Sequence, residues 1–195
     1  AILAPFFAMG VPVSAGEGWV VRAFDVVYEI RQTGVVAVTE DLRVDFGDLE
    51  RHGIFREVPY RYDYDDTSDR LISISDVSVD DGLARVPFEL IRSDTNLRIK
   101  IGDPDKLVTG ERRYRITYNL IAALNPFPDH DELFWNVTGG DWPVPIEQTT
   151  ALVIVPQPGI EQVACYEGPA GATDPCSSFP SGDKAVFRST TALGL

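Results

Sequence analysis

The side chains best suited to proton transfer in this sequence are two histidines, His52 and His130. Any catalysis that relies on imidazole must use one of them. His52 stands just before Gly53, Ile54 and Phe55, with Arg56 and Glu57 following. An imidazole can move a proton, and a guanidinium can hold a carboxylate or a phosphate. With Glu57 beside them, His52 and Arg56 sketch a hydrolytic or ligand-binding site. A plainer reading fits the same residues: a turn anchored by Ile54 and Phe55, with Arg56 paired to a core carboxylate such as Glu40, because structural ion pairs mimic active sites.

His130 sits in an acidic run, between Asp129 and Asp131, with Glu132 next. Asp129, His130 and Asp131 are the candidate metal ligands. A metal needs its ligands to converge on one point. Successive side chains of extended backbone point to opposite sides, so at most two of these converge without a turn. The competing reading is a solvated acidic loop. Asp63, Asp65, Asp66 and Asp69 are spaced like a loose calcium loop, without the Gly and terminal Glu of an EF-hand. Calcium is the one cofactor they suggest; otherwise none is expected.

Trp135, Asn136 and Trp142 offer a third chemistry. Flat rings near a polar amide can stack on a sugar or a peptide. The same tryptophans can instead pin a long loop to the core. Asn136, Val137 and Thr138 also spell a glycosylation acceptor, which matters only in a glycosylating host. No catalytic residue is assigned. There is no nucleophile elbow, no zinc-protease helix motif, no phosphate loop and no dinucleotide fingerprint.

These residues must be held by a scaffold, and the pattern of the chain says which kind. Phe24, Val26, Tyr28 and Ile30 alternate with polar neighbours, and so do Val36, Val38, Leu42, Val44 and Phe46. Period two with one polar face is a half-buried antiparallel strand, and the turn at Gln32, Thr33 and Gly34 makes the two a hairpin. Glu40 falls on the apolar face of the second strand, either near an exposed end or paired with an arginine. Further strands are expected around Ile72–Val79, with a bulge at Asp76, and at Val86–Leu90, Leu97–Ile101, Tyr114–Leu120, Leu133–Val137, Leu152–Val155, Val163–Tyr166 and Ala185–Arg188. No helical periodicity is sustained. The expected fold is all-β, an antiparallel sandwich-like single domain spanning 16–195 with two long loops, Gly47–Arg70 and Ala122–Ile146. Binding residues usually sit on such loops.

Composition sets the surroundings. The net charge of −13 repels phosphate backbones, which argues against nucleic acid. Residues 1–15 are apolar, interrupted by Pro5 and Pro12, and end in small residues at Ser14 and Ala15. They read as a signal-peptide remnant or a retained apolar arm, too short to span a bilayer of about 20 apolar residues. In an exported chain, Cys165 and Cys176, the only cysteines, are expected to form a disulfide across a turn-rich loop.

Several phrases then carry a resemblance: His52 to Pro59, Leu97 to Gly102, Thr109–Gly110 before Tyr114 to Tyr118, Glu132 to Gly139, and Trp142 to Ile146. With the opening hairpin and the cysteine loop, the chain from about Trp19 onward resembles the extracytoplasmic N-terminal domain of predicted bacterial and archaeal membrane proteins, domain-of-unknown-function family 2207. The resemblance implies a location outside the cytoplasm and an anchor in segments outside this sequence. It implies no activity. The function expected is a non-enzymatic extracytoplasmic binding or scaffolding ectodomain with a protein partner at the cell surface, the binding residues being His52, Arg56, Trp135, Asn136 and Trp142. A glycan hydrolase and a structural subunit of a membrane assembly are the alternatives.

Overall fold

A computed structural model describes residues 17–65, 68–169 and 171–194. The 1–15 segment lies outside them, and so does the question of its cleavage or retention. Among the described residues there is no helix, and none long and apolar enough to cross a membrane. The strands are β1 (Val20–Ile30), β2 (Val36–Asp45), β3 (Gly53–Pro59), β4 (Arg61–Asp65), β5 (Ser68–Leu71), β6 (Ser73–Asp80), β7 (Phe88–Arg92), β8 (Asn96–Gly102), β9 (Glu111–Ile121), β10 (Asn125–Pro126), β11 (Asp131–Glu132), β12 (Thr149–Ile154), β13 (Tyr166–Glu167), β14 (Asp174–Pro175), β15 (Ser177–Ser181) and β16 (Lys184–Arg188). The all-β expectation holds.

Two sheets carry the core. The larger has seven strands in the order β15-β16-β12-β1-β2-β9-β6. Its neighbours run antiparallel except β1 and β12, which pair in parallel, a departure from the all-antiparallel expectation. The smaller sheet is β3-β8-β7. Alternation explains how they face each other. Phe24, Val26 and Tyr28 of β1, Val38 and Leu42 of β2, and Ile116 and Leu120 of β9 point to one side and are buried. Ile54 and Val58 of β3 and Leu97, Ile99 and Ile101 of β8 close over them in the same apolar cluster. The layers are unequal, seven strands against three. The third strand of the small sheet overhangs: Phe88 and Leu90 lie on its core-facing side, opposite Ile101 and Ile99, yet are 37% and 45% exposed.

The bulge expected at Asp76 is present. The β6–β9 register shifts between Ser75 and Ser78, and Asp76 has φ +54°. Three local expectations need correction. Gly47–Arg70 is not a long loop, since β3, β4 and most of β5 lie inside it. A charged residue at an inward position, Arg56, interrupts the alternation that marks β3. Leu133–Val137 is not a strand; it pairs with no neighbouring strand, and the Val137 carbonyl at its end accepts from the Arg56 side chain instead. Of Val163–Tyr166 only Tyr166 joins a ladder, the two-residue pairing of β13 with β14. That small ladder abuts the disulfide of Cys165 with Cys176, whose Cα atoms are 5.3 Å apart. The disulfide is formed as expected, and no described cysteine is free.

Candidate functional site

Among the described residues, the buried charged side chains lie between the sheets. Glu40, on β2, is fully buried, and Arg56, on β3, is 1% exposed. Period two aims both inward, from opposite layers. Arg56 Nε donates to Glu40 Oε2 at 2.8 Å and Nη2 donates to Oε1 at 2.7 Å. Two parallel N–H···O bonds of this kind match the planar guanidinium to the planar carboxylate. Tyr118 of β9 donates to the same Oε1 at 2.7 Å. Glu40 pairs with Ile116 across the ladder, so Tyr118 is its diagonal neighbour on the buried face.

The rest of Arg56 holds a segment with no strand of its own. Nη1 donates to the carbonyls of Glu57 at 2.6 Å and Thr138 at 2.8 Å, and Nη2 to that of Val137 at 3.1 Å. A guanidinium has five N–H groups, and all five are engaged. Its face lies 5.1 Å from the Phe24 ring centroid. Burial opposes the charge on Arg56, but the adjacent Glu40 more than offsets it, and the guanidinium pKa rises above its usual value. Burial and then the Glu40 carboxylate push the Tyr28 and Tyr118 hydroxyls well above the ordinary phenol range.

The irregular segment is shaped to meet this arginine. Gly139 sits at φ +77°, where L side chains are strained, and a Cβ there would lie 3.1 Å from Arg56 Nη1. Asn136 Oδ1 accepts the Gly139 N–H at 3.1 Å, which closes the turn. Trp142 donates its indole N–H to Thr138 O at 2.8 Å and packs edge-on to Phe24, with centroids 6.1 Å apart. Trp135 packs edge-on to Tyr28 and Tyr62. Arg56, Asn136 and Trp142 are thus brought together by one turn, and Trp135 lies further along the same strap.

The remaining candidates are apart. His52 Nδ1 lies 3.0 Å from Lys106 O and 3.3 Å from Asp103 O, on an exposed turn. Glu57 is bonded to Arg98 on the outer face of the small sheet. His130 Nδ1 is 2.9 Å from Asp129 Oδ1, and its ring stacks on Phe127 at 4.8 Å. Asp131 is in the β10–β11 ladder. Among the described residues, no three His, Cys, Asp or Glu side chains gather as a metal site. The calcium reading at Asp63, Asp65 and Asp66 falls on side chains outside those described. Asp69 is bonded to Arg61 at 2.6 Å.

A cleft of about 240 Å³ runs beside β3, lined among others by Arg51, Phe55, Arg98, Asp141 and Trp142. Arg56 forms part of its floor, but with every N–H already used. Sequence reasoning did not single out Tyr118, Phe24 or Gly139. Tyr118 reads as one more apolar residue in a clean alternation; its hydroxyl matters only because Glu40 is its diagonal neighbour.

Residues 20–188 match the family described as predicted membrane protein (DUF2207), N-terminal domain. The uncharacterized protein YciQ of Escherichia coli (strain K12) is 30% identical over 132 residues. That alignment covers 66% of this chain and 21% of the relative, so the chain spans about a fifth of that protein's length. Among solved structures, native leukotriene A4 hydrolase from Saccharomyces cerevisiae superposes with a TM-score of 0.53 at 10% identity, over 91% of this chain and 28% of that one. The yeast enzyme in complex with bestatin gives 0.51 at 10% identity, over 91% and 27%. This likeness is one of fold.

Proposed function

The chain belongs to the predicted membrane protein (DUF2207) N-terminal domain family, and on that premise we propose that it is a non-enzymatic extracytoplasmic domain that binds or scaffolds a protein partner for a membrane-anchored parent. The observation that carries this reading is Arg56. The one buried charged centre of the described chain spends all five N–H groups on Glu40 and on the backbone of the domain itself. A group with no free donor cannot grip a substrate anion, whereas a binding domain needs only a firmly held surface. The disulfide supports placement in an oxidising compartment. The strap pinned by Arg56 supplies the surface: Phe134 on it is 74% exposed and Phe127 is 47% exposed.

The test uses the full-length parent in its native membrane, with a photo-crosslinking amino acid at Phe134 and, as a control, at Lys184, which is exposed on β16. A stoichiometric protein adduct from position 134 and none from 184 is expected. No adduct from 134, together with a hydrolytic activity abolished by His52→Ala, would overturn the reading in favour of an enzyme.

A further inference from the structure

The two large sheets have four free edges, and three of them are blunted. β15 carries Pro180, which has no N–H to offer a neighbour. β6 is bent by its bulge at Asp76. The edge of β3 is occupied at Glu57, whose carbonyl accepts Arg56 Nη1. The edge of β7 has none of these protections. Its register with β8 is unbroken, and all five of its residues are exposed, including Phe88, Leu90 and Ile91.

The hydrogen-bond phase shows which groups the edge presents. Gly102 N–H donates to Pro87 O at 2.8 Å and Ser93 N–H donates to Asn96 O at 2.9 Å. Antiparallel partners alternate between bonded and non-bonded pairs. The odd-numbered residues Glu89 and Ile91 therefore bond to β8, while the N–H and C=O of Phe88, Leu90 and Arg92 point outward.

We infer that this edge pairs with the same edge of a second copy of the chain, in an antiparallel ladder with its two-fold axis at Leu90. In that register Leu90 faces Leu90, Phe88 faces Arg92 of the second copy, and Glu89 faces Ile91 of the second copy. Every outward donor then meets an outward acceptor, three from each chain, giving about six new backbone bonds. Centring the axis on any other residue leaves some of them unpaired. No like charges are opposed. Arg92, which already lies over the Tyr60 ring at 5.5 Å, comes beside the Phe88 ring of the second copy. The apolar overhang of Phe88 and Leu90 is doubled and covered at its rim, and the two three-stranded sheets become one. The seam is short and each chain carries −13, so association is weak and strengthens as salt screens the repulsion. This pairing stands independently of the partner-binding role proposed above.

The test is sedimentation equilibrium of the 195-residue chain with two variants. Leu90→Pro deletes an outward N–H and leaves the β7–β8 ladder its bonds, so it should give a monomer that still unfolds cooperatively, with a midpoint lowered only by the lost Leu90 packing. Leu90→Cys places two thiols across the axis at a Cα separation of about 5.5 Å, within disulfide range; both native cysteines are already paired. Under mild oxidant it should yield a covalent dimer, while Leu83→Cys, at a site 99% exposed, should not. A wild-type chain that stays monomeric up to about 1 mM, the weak end of specific association, with no Leu90→Cys cross-link, would overturn the inference. So would a dimer that survives Leu90→Pro.

Discussion

Arg56 of the small sheet and Glu40 of the large sheet meet face to face, Nε to Oε2 at 2.8 Å and Nη2 to Oε1 at 2.7 Å, with almost no solvent on either side chain. Taking two charges out of water is unfavourable, and their pairing has to offset it. Removing one partner strands the other. Arg56→Met, or Glu40→Gln alone, should each lower unfolding stability by about 3–5 kcal/mol. Combining Arg56→Met with Glu40→Leu should recover much of that loss, because the stranded charge is gone. Urea unfolding of the two singles and the double reads this directly. Single variants that lose less than about 1 kcal/mol, the worth of an exposed ion pair, would mean that the pair does not organise the core.

The turn that meets Arg56 depends on a residue without a Cβ. Gly139→Ala must hold a left-handed φ at a penalty of about 1–2 kcal/mol, and its methyl crowds Arg56 Nη1 at 3.1 Å. The expected result is a loss of that order in stability and faster proteolytic nicking within the Ala122–Ile146 strap. Gly140→Ala, where an added Cβ meets nothing within 4 Å, should change neither.

Tyrosine ionisation reports the core from another direction. Burial pushes Tyr62 and Tyr114 up to about 12, and Tyr28 and Tyr118 go higher. In the unfolded chain these hydroxyls titrate near 10. Between those values the folded state keeps protons that the unfolded state has released, so stability is full below about pH 10 and falls as pH rises towards 12. Absorbance at 295 nm should show the buried tyrosines ionising only together with unfolding. Smooth ionisation of all seven near pH 10 in a chain still folded by circular dichroism would contradict the packing.

At the acid end the sign reverses. Hydrogen bonds from Arg113, opposed by partial burial and reinforced by Arg113 and Arg115 charge, hold the Asp41 carboxyl below its usual range. Its contribution is therefore present above the unfolded value near 4 and lost as pH falls through the lower folded value. Asp41→Asn should lower stability at neutral pH and flatten the decline below pH 4. An unchanged acid limb would show that other carboxylates govern it. Asp45 and Asp81 are also shifted down, by Arg22 and by backbone N–H groups respectively.

Much of this fold was legible because alternation reports burial directly. The β1–β2 hairpin, β8 and β9 stand where period two puts them, and the phase slip at Asp76 marks a real bulge. Glu40 was conspicuous as a charge on an apolar face, and its pairing with Arg56 was one of the readings open from sequence. What hid β3 was the same arginine, since an inward charge and an outward Phe55 invert the pattern that identifies a strand. The strap misled for a related reason. Leu133, Trp135 and Val137 alternate like a strand, but the backbone of Val137 and Thr138 is satisfied by a side chain from another sheet, a partner no local pattern announces. Nor does sequence give the small sheet's overhang, which depends on how far one layer extends past the other.

The domain is closed by the disulfide of Cys165 with Cys176, and its proposed place is outside the cytoplasm, on a membrane-anchored parent. The most direct measurement places a single reactive thiol at Leu83→Cys, the 99% exposed tip beside the Asp81 turn, in the full-length parent, and treats intact cells with a small membrane-impermeant maleimide. The expected result is labelling at that position without lysis, while Cys165 and Cys176 resist alkylation until a reductant is added. Labelling that appears only after the cytoplasmic membrane is broken, with Cys165 and Cys176 reactive from the start, would contradict it.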